Sequence, residues 1–320
     1  MREVRYNDRM KRLVLLDAHA LIHRAYHALP PLTTSAGEPV NAVYGFASMF
    51  FKVLEDLKPD FVVAAFDKKT PTFRHAGFKG YKAQRPPLPD DLISQIPLVH
   101  KLIEVLGVLH FEVDGYEADD IIGTLSDRVI KEDPQIDEIL IVTGDRDTLQ
   151  LVGPKVKVYT TRAKLSDTVT IDEKAVWDKY GIKPKQMVCY KALVGDPSDN
   201  IPGVYGIGEK TAAKLLQQFG SLDRIYDNLN HIEDKTREKL INFKDDAFLS
   251  YKLAEIVRDV PLNFKLEEAK IQNFDKEKTV RFLESLGFKS LIRRLLGENK
   301  KSQTESKTKG KKENGQLSFI

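Results

Sequence analysis

Two patterns of apolar residues divide the chain. Up to about residue 172, short apolar runs typical of buried strands alternate with longer stretches in which apolar residues recur at helical spacing. The predicted strands are 13–16, 61–66, 109–113, 138–142, 156–160 and 169–171, and the predicted helices are 43–57, 92–106 and 118–130. Strands that alternate with helices predict an α/β domain with a mostly parallel sheet and helices on both faces.

Beyond residue 172 only helical spacing continues. The predicted helices are 176–180, 185–193, 210–219, 222–229, 235–243, 247–256 and 276–286. We therefore expect an α/β domain over residues 1–175 and a helical domain over 176–297. Residues 298–320 form a tail that is largely polar and rich in lysine, a composition that cannot form a core and predicts disorder.

Composition narrows the class of protein. A hydrophobic content of 42% and a charged content of 30% in 320 residues are typical of a globular protein. We expect no signal peptide, because Asp17 and His19 interrupt the first apolar run, and no apolar run approaches the ~18–20 residues of a membrane span. The single cysteine, Cys189, excludes an internal disulfide framework and favours a reducing compartment. We expect a cytoplasmic monomer with no membrane contact.

Three of the predicted strands lead into an aspartate. Asp17 and Asp67 directly follow strand runs, and Asp145 follows a third after Thr143 and Gly144. Because parallel sheets place ligands at the carboxyl ends of their strands, these acids are expected to converge at one edge.

Six further carboxylates stand at suggestive positions. They are Glu117, Asp119, Asp120, Asp147, Asp196 and Asp199. Taken singly, each could be only a helix cap or a turn residue. If they converge with the strand-end aspartates, like charges ~4 Å apart would repel by ~4 kcal/mol per pair, so the cluster would need cations. Oxygen ligands select Mg²⁺ or Mn²⁺, and this many acids favours two ions, an arrangement suited to phosphoryl displacement.

Two other stretches suggest contacts with nucleic acid. Residues 68–85 contain six Lys or Arg and no acid, interleaved with Phe73, Phe78 and Tyr81, as single-stranded nucleic acid requires. A solvated loop is the alternative. Residues 193–216 contain a hairpin punctuated by glycines and followed by a helix, where exposed amides suit a phosphate backbone. A stripe of histidines, His19, His23 and His27, is predicted to be packing or surface rather than a metal site.

Several motifs together resemble the 5′-nuclease family, which includes the N-terminal 5′→3′ exonuclease domain of bacterial DNA polymerase I and the flap endonucleases. The matching segments are 24–28 (RAYHA), 73–74 (FR), 81–87 (YKAQRPP), 117–120 (EADD), 143–147 (TGDRD) and 195–204 (GDPSDNIPGV). The resemblance implies a PIN-like parallel-sheet nuclease core over 1–175. It also implies a helical arch at about 68–92 and a second domain with a helix-hairpin-helix, the helix-three-turn-helix of this family.

The resemblance also implies roles for individual residues. A first metal ion would be surrounded by Asp17, Asp67, Glu117 and Asp119, with Asp120 beside them, and a second would be served by Asp145, Asp147, Asp196 and Asp199. Catalytic contacts with the scissile phosphate would come from Lys82 and Arg85, and Tyr81 would stack on a base. DNA would be bound by Arg24, Arg74, Gly203, Gly206, Gly208, Lys210 and Thr211, with K⁺ at the hairpin.

The expected function is therefore a structure-specific 5′→3′ exonuclease and flap endonuclease. It would hydrolyse DNA phosphodiester bonds by a two-metal mechanism in primer removal and repair, with Mg²⁺ as cofactor and Mn²⁺ as a substitute. A non-catalytic DNA-binding module and a PIN-type ribonuclease are the alternatives. The last residues of the tail resemble a peptide that binds the bacterial sliding clamp, through Gln316, Leu317, Phe319 and Ile320.

Overall fold

A computed structural model describes residues 9–161, 167–271 and 275–297 of the chain. Its sheet consists of β1 (Arg12–Asp17), β2 (Phe61–Phe66), β3 (Leu109–Glu112), β4 (Glu138–Val142), β5 (Val156–Thr161) and β6 (Thr168–Ile171). The strand order is β3-β2-β1-β4-β5-β6. The first five strands are parallel and β6 is antiparallel to β5. The predicted α/β class with a parallel-sheet core is confirmed.

Helices cover both faces of this sheet and continue beyond it. They are α1 (Ala18–Ala28), α2 (Asn41–Leu57), α3 (Phe73–Gly77), α4 (Asp90–Ile93), α5 (Ile96–Val105), α6 (Ala118–Glu132), α7 (Glu173–Tyr180), α8 (Met187–Val194), α9 (Glu209–Phe219), α10 (Leu222–Asp227), α11 (Asp234–Asn242), α12 (Lys244–Ala254), α13 (Lys276–Ser285) and α14 (Lys289–Leu296). Short 3-10 helices occupy Asp147–Leu151, Pro184–Gln186, Leu229–His231 and Leu266–Ala269. Among the described residues, no helix has the length and apolar character needed to cross a bilayer.

Several helical features differ from the predictions, and α14 is not among the predicted helices. Helix α1 was not predicted, because polar residues separate its few buried side chains; it starts at Asp17, whose carboxylate caps it by accepting from the Ala20 amide at 3.0 Å. The predicted helix 92–106 is two helices, broken at Gln95. The buried Gln95 side chain accepts from the Ala42 amide at 2.7 Å and thereby caps α2 from outside.

The two faces of the sheet feed two cores. Leu13 and Leu15 of β1 point into a cluster that includes α6 and extends without interruption into helices α8 to α11. Val14 and Leu16 point to the other face, which α1, α2 and α5 cover. The helical part of the chain therefore shares a core with the sheet, which fixes its position relative to the strand ends.

The last two described helices return to the α/β part of the molecule. Leu283 and Leu291 pack into the same core as Val14, and Arg294 pairs with Glu55 on α2 at 2.8 Å. Residues 276–297, which the sequence pattern assigns to the helical domain, therefore pack against the first domain. Helical periodicity predicts α13 but not α14, and it carries no information about which neighbour covers an apolar face.

Candidate active site

Carboxylates from separate elements line one cleft at the carboxyl edge of the sheet. Asp17 ends β1, Asp67 follows β2 and Asp145 follows β4, while Glu117 and Asp119 lie at the start of α6. The cleft encloses about 850 Å³. The structure thus brings together the three strand-end aspartates, as the parallel pattern predicts.

Hydrogen bonds hold the side chains of Asp17 and Asp67 in place. The Asp17 carboxylate accepts from the Ala20 amide at 3.0 Å and from the Thr143 hydroxyl at 2.6 Å. Asp67 Oδ1 accepts from the Ala118 amide at 2.7 Å, which ties the end of β2 to the start of α6. The Asp67 amide donates to His19 Nδ1 at 3.0 Å. Strand ends and helix starts are therefore held in register around the cleft.

The carboxylates of this cleft repel one another. Burial and then the charge of Asp67 raise the pKa of Asp17 from 3.8 to about 7. Burial and the charges of Asp145 and Asp17 raise the pKa of Asp119 well above its usual range, and burial raises that of Asp145. The Asp119 Oδ1 atom is buried with no hydrogen-bond partner in the described part of the chain. These oxygen donors, short of positive charge, fit hard divalent cations.

The remaining acids face basic side chains instead. Lys191 forms ion pairs with both Asp147 and Asp196, the latter at 2.7 Å. Asp199 accepts from Arg85 at 2.5 Å. Over residues 9–161, 167–271 and 275–297, no three acidic, histidine or cysteine side chains already lie at ligand spacing around one point. The assignment of Asp147, Asp196 and Asp199 to a second ion stays a prediction.

Asp120 lies on the other side of α6 from the cleft. It is fully buried and forms two hydrogen bonds of 2.8 Å with Arg74. Its oxygens also accept from the amides of Glu117 and Val257. All of its acceptor capacity is directed at protein donors, so the prediction that Asp120 serves a metal ion is corrected: it anchors the start of α6.

Arg74 is likewise a structural residue in this fold. Only 3% of it is exposed, and beyond Asp120 it donates to the backbone oxygens of Leu253 and Glu255. A guanidinium that is enclosed in this way cannot reach a phosphate. The prediction that Arg74 contacts DNA is therefore wrong for this structure. The pair instead joins the basic segment, α6 and the chain that leaves α12.

The segment predicted as a helical arch, residues 68–92, is helical only at Phe73–Gly77 and from Asp90 onward. Glycines and prolines interrupt it, since neither residue favours a helix interior. Its tip docks on the loop that carries Asp196 and Asp199. The Lys82 amide donates to Asp199 O at 3.0 Å, and Asn200 Nδ2 donates to Gly80 O at 2.7 Å. Lys82 and Asn200 both adopt the left-handed backbone conformation there.

Docking brings Lys82 and Arg85, the predicted contacts of the scissile phosphate, close to the acids. Lys82 Nζ lies 2.9 Å from Glu117 Oε2, and Glu117 and Asp199 together raise the pKa of Lys82 although its burial lowers it. Tyr81, in contrast, is 4% exposed, and its hydroxyl donates to Glu117 at 3.2 Å. The prediction that Tyr81 stacks on a base is wrong here, because the ring packs in the protein interior beside His75.

The glycine hairpin presents only part of its predicted surface. Gly206, Gly208 and Lys210 are exposed and Thr211 is half-buried. Gly203 is buried with φ +65, and an added Cβ would lie 2.3 Å from the Gly195 nitrogen, so its role is close backbone packing rather than DNA contact. Tyr205, which the motif reading passed over, is 78% exposed at the hairpin tip.

Other site residues were also missed by the sequence reading. Thr143 holds Asp17, and His19 accepts from the Asp67 amide. Lys191 forms ion pairs with Asp147 and Asp196. Thr143 stands within a motif, but the partners of Lys191 follow only from the packing of α8. Arg24 lines the cleft and donates to Thr161 at 3.2 Å, and its contact with phosphate stays a prediction. The proposed clamp peptide, Gln316 to Ile320, lies outside the described residues.

Comparisons with known proteins agree with this arrangement. Residues 12–181 match the family described as 5′-3′ exonuclease, N-terminal resolvase-like domain, and residues 182–277 match 5′-3′ exonuclease, C-terminal SAM fold. DNA polymerase I of Caldicellulosiruptor bescii is 47% identical over 288 residues, which cover 89% of this chain and 33% of that protein. DNA polymerase I of Bacillus subtilis is 41% identical over 286 residues, covering 89% of this chain and 32% of that protein. The chain thus spans about a third of the length of these relatives.

Solved structures share the fold at low sequence identity. A complex of bacteriophage T5 flap endonuclease with DNA and metal ions superposes with a TM-score of 0.64 at 18% identity, covering 90% of this chain and 97% of that one. The catalytic core of Rad2 in complex with DNA substrate gives 0.58 at 19% identity, covering 92% and 95%. The predicted resemblance is confirmed by the family matches, and these superpositions confirm the fold.

Proposed function

Because the chain belongs to the 5′-3′ exonuclease family, we propose that it is a structure-selective 5′ nuclease that hydrolyses phosphodiester bonds of DNA. The observation that carries the proposal is the cleft in which Asp17, Asp67, Glu117, Asp119 and Asp145 face Lys82 and Arg85. Phosphodiester hydrolysis requires carboxylates that bind cations and, opposite them, basic side chains that bind the phosphate.

We propose that the cofactor is a pair of divalent ions, which are Mg²⁺ with Mn²⁺ as a substitute. Asp17, Asp67, Glu117 and Asp119 would hold the first ion, and Asp145, Asp147, Asp196 and Asp199 would serve the second. The support is chemical: all donors are oxygens, and the buried Asp119 Oδ1 is without a partner in the described ranges. When bound, the ions would supply the positive charge that lets a phosphate approach these carboxylates and polarises it.

The basic segment would hold the scissile phosphate. The Lys82 ammonium and the Arg85 guanidinium already lie at the acids, bound to Glu117 and Asp199. On substrate binding we propose that they exchange these carboxylates for phosphate oxygens, which accept the same charge-assisted hydrogen bonds. Tyr81, buried below them, keeps the segment in place through its hydroxyl.

The hairpin would grip duplex DNA away from the cut. Gly206, Gly208 and Lys210 offer exposed amides and an ammonium at the start of α9, which suits a phosphate backbone without reading sequence. K⁺ at the hairpin is also a proposal. It rests on the family resemblance, and the Gly206 carbonyl accepts from the Lys239 ammonium at 2.7 Å, which a bound K⁺ would have to displace.

The broader role follows from the relatives. Because they are named DNA polymerase I, we propose that the protein removes primers and flaps during replication and repair. It would act in the cytoplasm as a monomer on 5′ flaps, nicks or branched duplexes. Binding of the tail peptide Gln316, Leu317, Phe319 and Ile320 to a sliding clamp is proposed from the sequence alone.

A flap assay tests the proposal. Wild-type protein should cut a labelled 5′-flap substrate with Mg²⁺ and leave it intact with a chelator. Asp67→Ala should abolish cleavage but bind the flap as tightly as wild type, since the hairpin is untouched. Asp178→Ala, which changes an exposed aspartate on α7, is the matched control and should cut normally.

Three outcomes would contradict the proposal. Full activity of Asp67→Ala would remove the metal assignment. Binding without cleavage by wild-type protein at any Mg²⁺ or Mn²⁺ concentration would favour the non-catalytic module. Preferential cleavage of single-stranded RNA would favour the ribonuclease.

A further inference from the structure

A pocket separate from the carboxylate cleft lies in the helical part of the chain. Its walls come from α7, α8, α10, α12 and the last turn of α9. It encloses about 590 Å³, which is within the ~300–1,000 Å³ typical of ligand pockets. None of the described residues that line it belongs to the cleft or to the hairpin of Gly206 and Gly208.

Buried hydrogen bonds fix the shape of this pocket. Gln186 is buried, and its Nε2 atom donates to the backbone oxygens of Leu216 and Gly220, both at 2.9 Å. Its Oε1 atom accepts from the Lys183 amide at 2.9 Å. One side chain thereby joins the end of α9 to the chain before α8. The pocket is preformed, so a ligand would not have to order it.

Part of the pocket is apolar, and an exposed aromatic ring lies beside that part. Cys189 and Leu216 line the pocket and are buried, whereas Trp177 is 48% exposed. Aromatic side chains are enriched at protein interfaces, and tryptophan is prominent among the residues that dominate the binding energy there. A half-exposed tryptophan next to buried apolar groups therefore suits a bulky apolar side chain of a partner.

Positive charge accompanies this apolar part. Lys183, Lys185 and Arg224 line the pocket, and all three side chains are exposed. None of the three forms an ion pair within the described ranges, and no carboxylate is among the described residues of the lining. The nearby carboxylates of Asp223 and Glu255 stay outside that lining. Three cations without partners around an apolar centre are complementary to an acidic ligand.

The position of the pocket favours a protein over DNA as that ligand. Helix α9 begins after Gly208, at the proposed grip on the DNA backbone, and ends before Gly220, which lines the pocket. With ~1.5 Å of rise per residue, these two glycines are separated by about 18 Å. Because the start of the helix would face the phosphates, its axis leads away from the duplex, and the pocket stays open when DNA is bound.

We propose that this pocket binds an acidic segment of a partner protein. One bulky apolar side chain of the segment would pack against Trp177, and carboxylates on either side of it would pair with the three cations. Because the pocket is remote from the cleft, the partner would hold the protein without blocking its substrate. The choice of a protein over DNA rests on the proposed function of the hairpin.

Fluorescence of Trp177 tests the pocket directly, because it is the single tryptophan of the chain. Wild-type protein is titrated with a synthetic peptide of four aspartates followed by one phenylalanine. We expect a saturable change in tryptophan emission. Replacement of the phenylalanine by alanine, or of the aspartates by asparagines, should weaken binding at least about tenfold, since each removes one of the two complementary features.

Charge-reversal variants test the cations. Lys185→Glu and Arg224→Glu should each weaken peptide binding about tenfold, because a like charge then faces the aspartates. Lys276→Glu makes the same change at an exposed lysine of α13 and is the matched control, which should bind the peptide as wild type does. Lys185→Glu should cut a 5′-flap substrate at the wild-type rate, since the pocket is remote from the cleft.

No change in emission, equal binding of the alanine peptide, or unchanged binding by both variants would overturn the proposal. A change in Trp177 emission with flap DNA, together with weaker flap binding by Lys185→Glu, would also overturn it, because the pocket would then be a DNA contact. Wild-type protein that cleaves flaps but does not bind the peptide contradicts only this proposal. Wild-type protein that binds the peptide but cleaves no flap contradicts only the nuclease proposal.

Discussion

The two groups of acids at the site differ in how their charge is balanced. Asp17, Asp119 and Asp145 crowd together, with raised pKa values and one buried oxygen that lacks a partner in the described residues. Asp147 and Asp196 instead share the Lys191 ammonium. The first group therefore depends more on charge from outside the chain, although Lys191 also acts on Asp145. Cations should therefore bind there first, and those at the second group must compete with a lysine.

The largest test of this difference compares adjacent residues on α6. Asp119→Asn should lower the single-turnover cleavage rate at saturating Mg²⁺ by more than about 100-fold, since even partners of metal ligands contribute 10- to 100-fold. Its melting temperature in a chelator should not fall, because the change removes an unpaired charge from the cleft. The rate is measured by rapid quench on a flap substrate, and stability by thermal melting.

Asp120→Asn is the matched variant next to it. It should lose about 3 kcal/mol of stability, because Arg74 keeps its charge in the interior without a charged partner. If Asp120→Asn keeps the wild-type melting temperature but loses cleavage as Asp119→Asn does, Asp120 serves the metal after all.

A smaller effect is expected from removal of the Lys191 ammonium, which lies between Asp147 and Asp196. Lys191→Met should destabilise the protein by about 2–3 kcal/mol in a chelator, since Asp147 and Asp196 then repel each other. Mg²⁺ should recover more of this loss than it adds to wild-type stability. Thermal melts with and without Mg²⁺ give both quantities.

Lys174→Met is the control for that measurement. It removes an exposed ion pair with Asp178 on α7, and its melting temperature should match wild type. Equal responses of the Lys191 variant and wild type to Mg²⁺ would show that the second acids do not bind the ion.

The smallest expected effect is the dependence of stability on pH. The folded pKa of Asp17 is raised from 3.8 to about 7, so the native state binds more protons than the unfolded chain between these values. Stability without metal should therefore fall as pH rises from 5 to 8, by a few degrees in melting temperature. Asp17→Asn should flatten this slope, and Mg²⁺ should oppose it. If the melting temperature of metal-free wild-type protein rises from pH 5 to 8, the raised pKa of Asp17 is contradicted.

The part of the site that follows strand ends was predictable. Asp17, Asp67 and Asp145 were placed at one edge from the apolar pattern alone, because parallel strands end together. The position of Glu117 as the cap of α6 was also readable. For Arg74, Tyr81 and Asp120 the residue types suggested function, but their environments decide otherwise. A buried partner removes a charged side chain from substrate chemistry whatever its motif implies.

The sequence by itself determined the alternation of strands and helices, the helical second half and the set of acids at the strand ends. These follow from local periodicity and from residue types, which each segment carries with it. Only the tertiary structure decided which acids crowd together, which form ion pairs with Lys191 or Arg85, and that α13 and α14 cover the sheet domain. Those outcomes depend on distances between segments remote in sequence, and a periodic pattern does not encode such distances. The same reason turned the histidine stripe of α1 from a surface feature into the wall of the cleft.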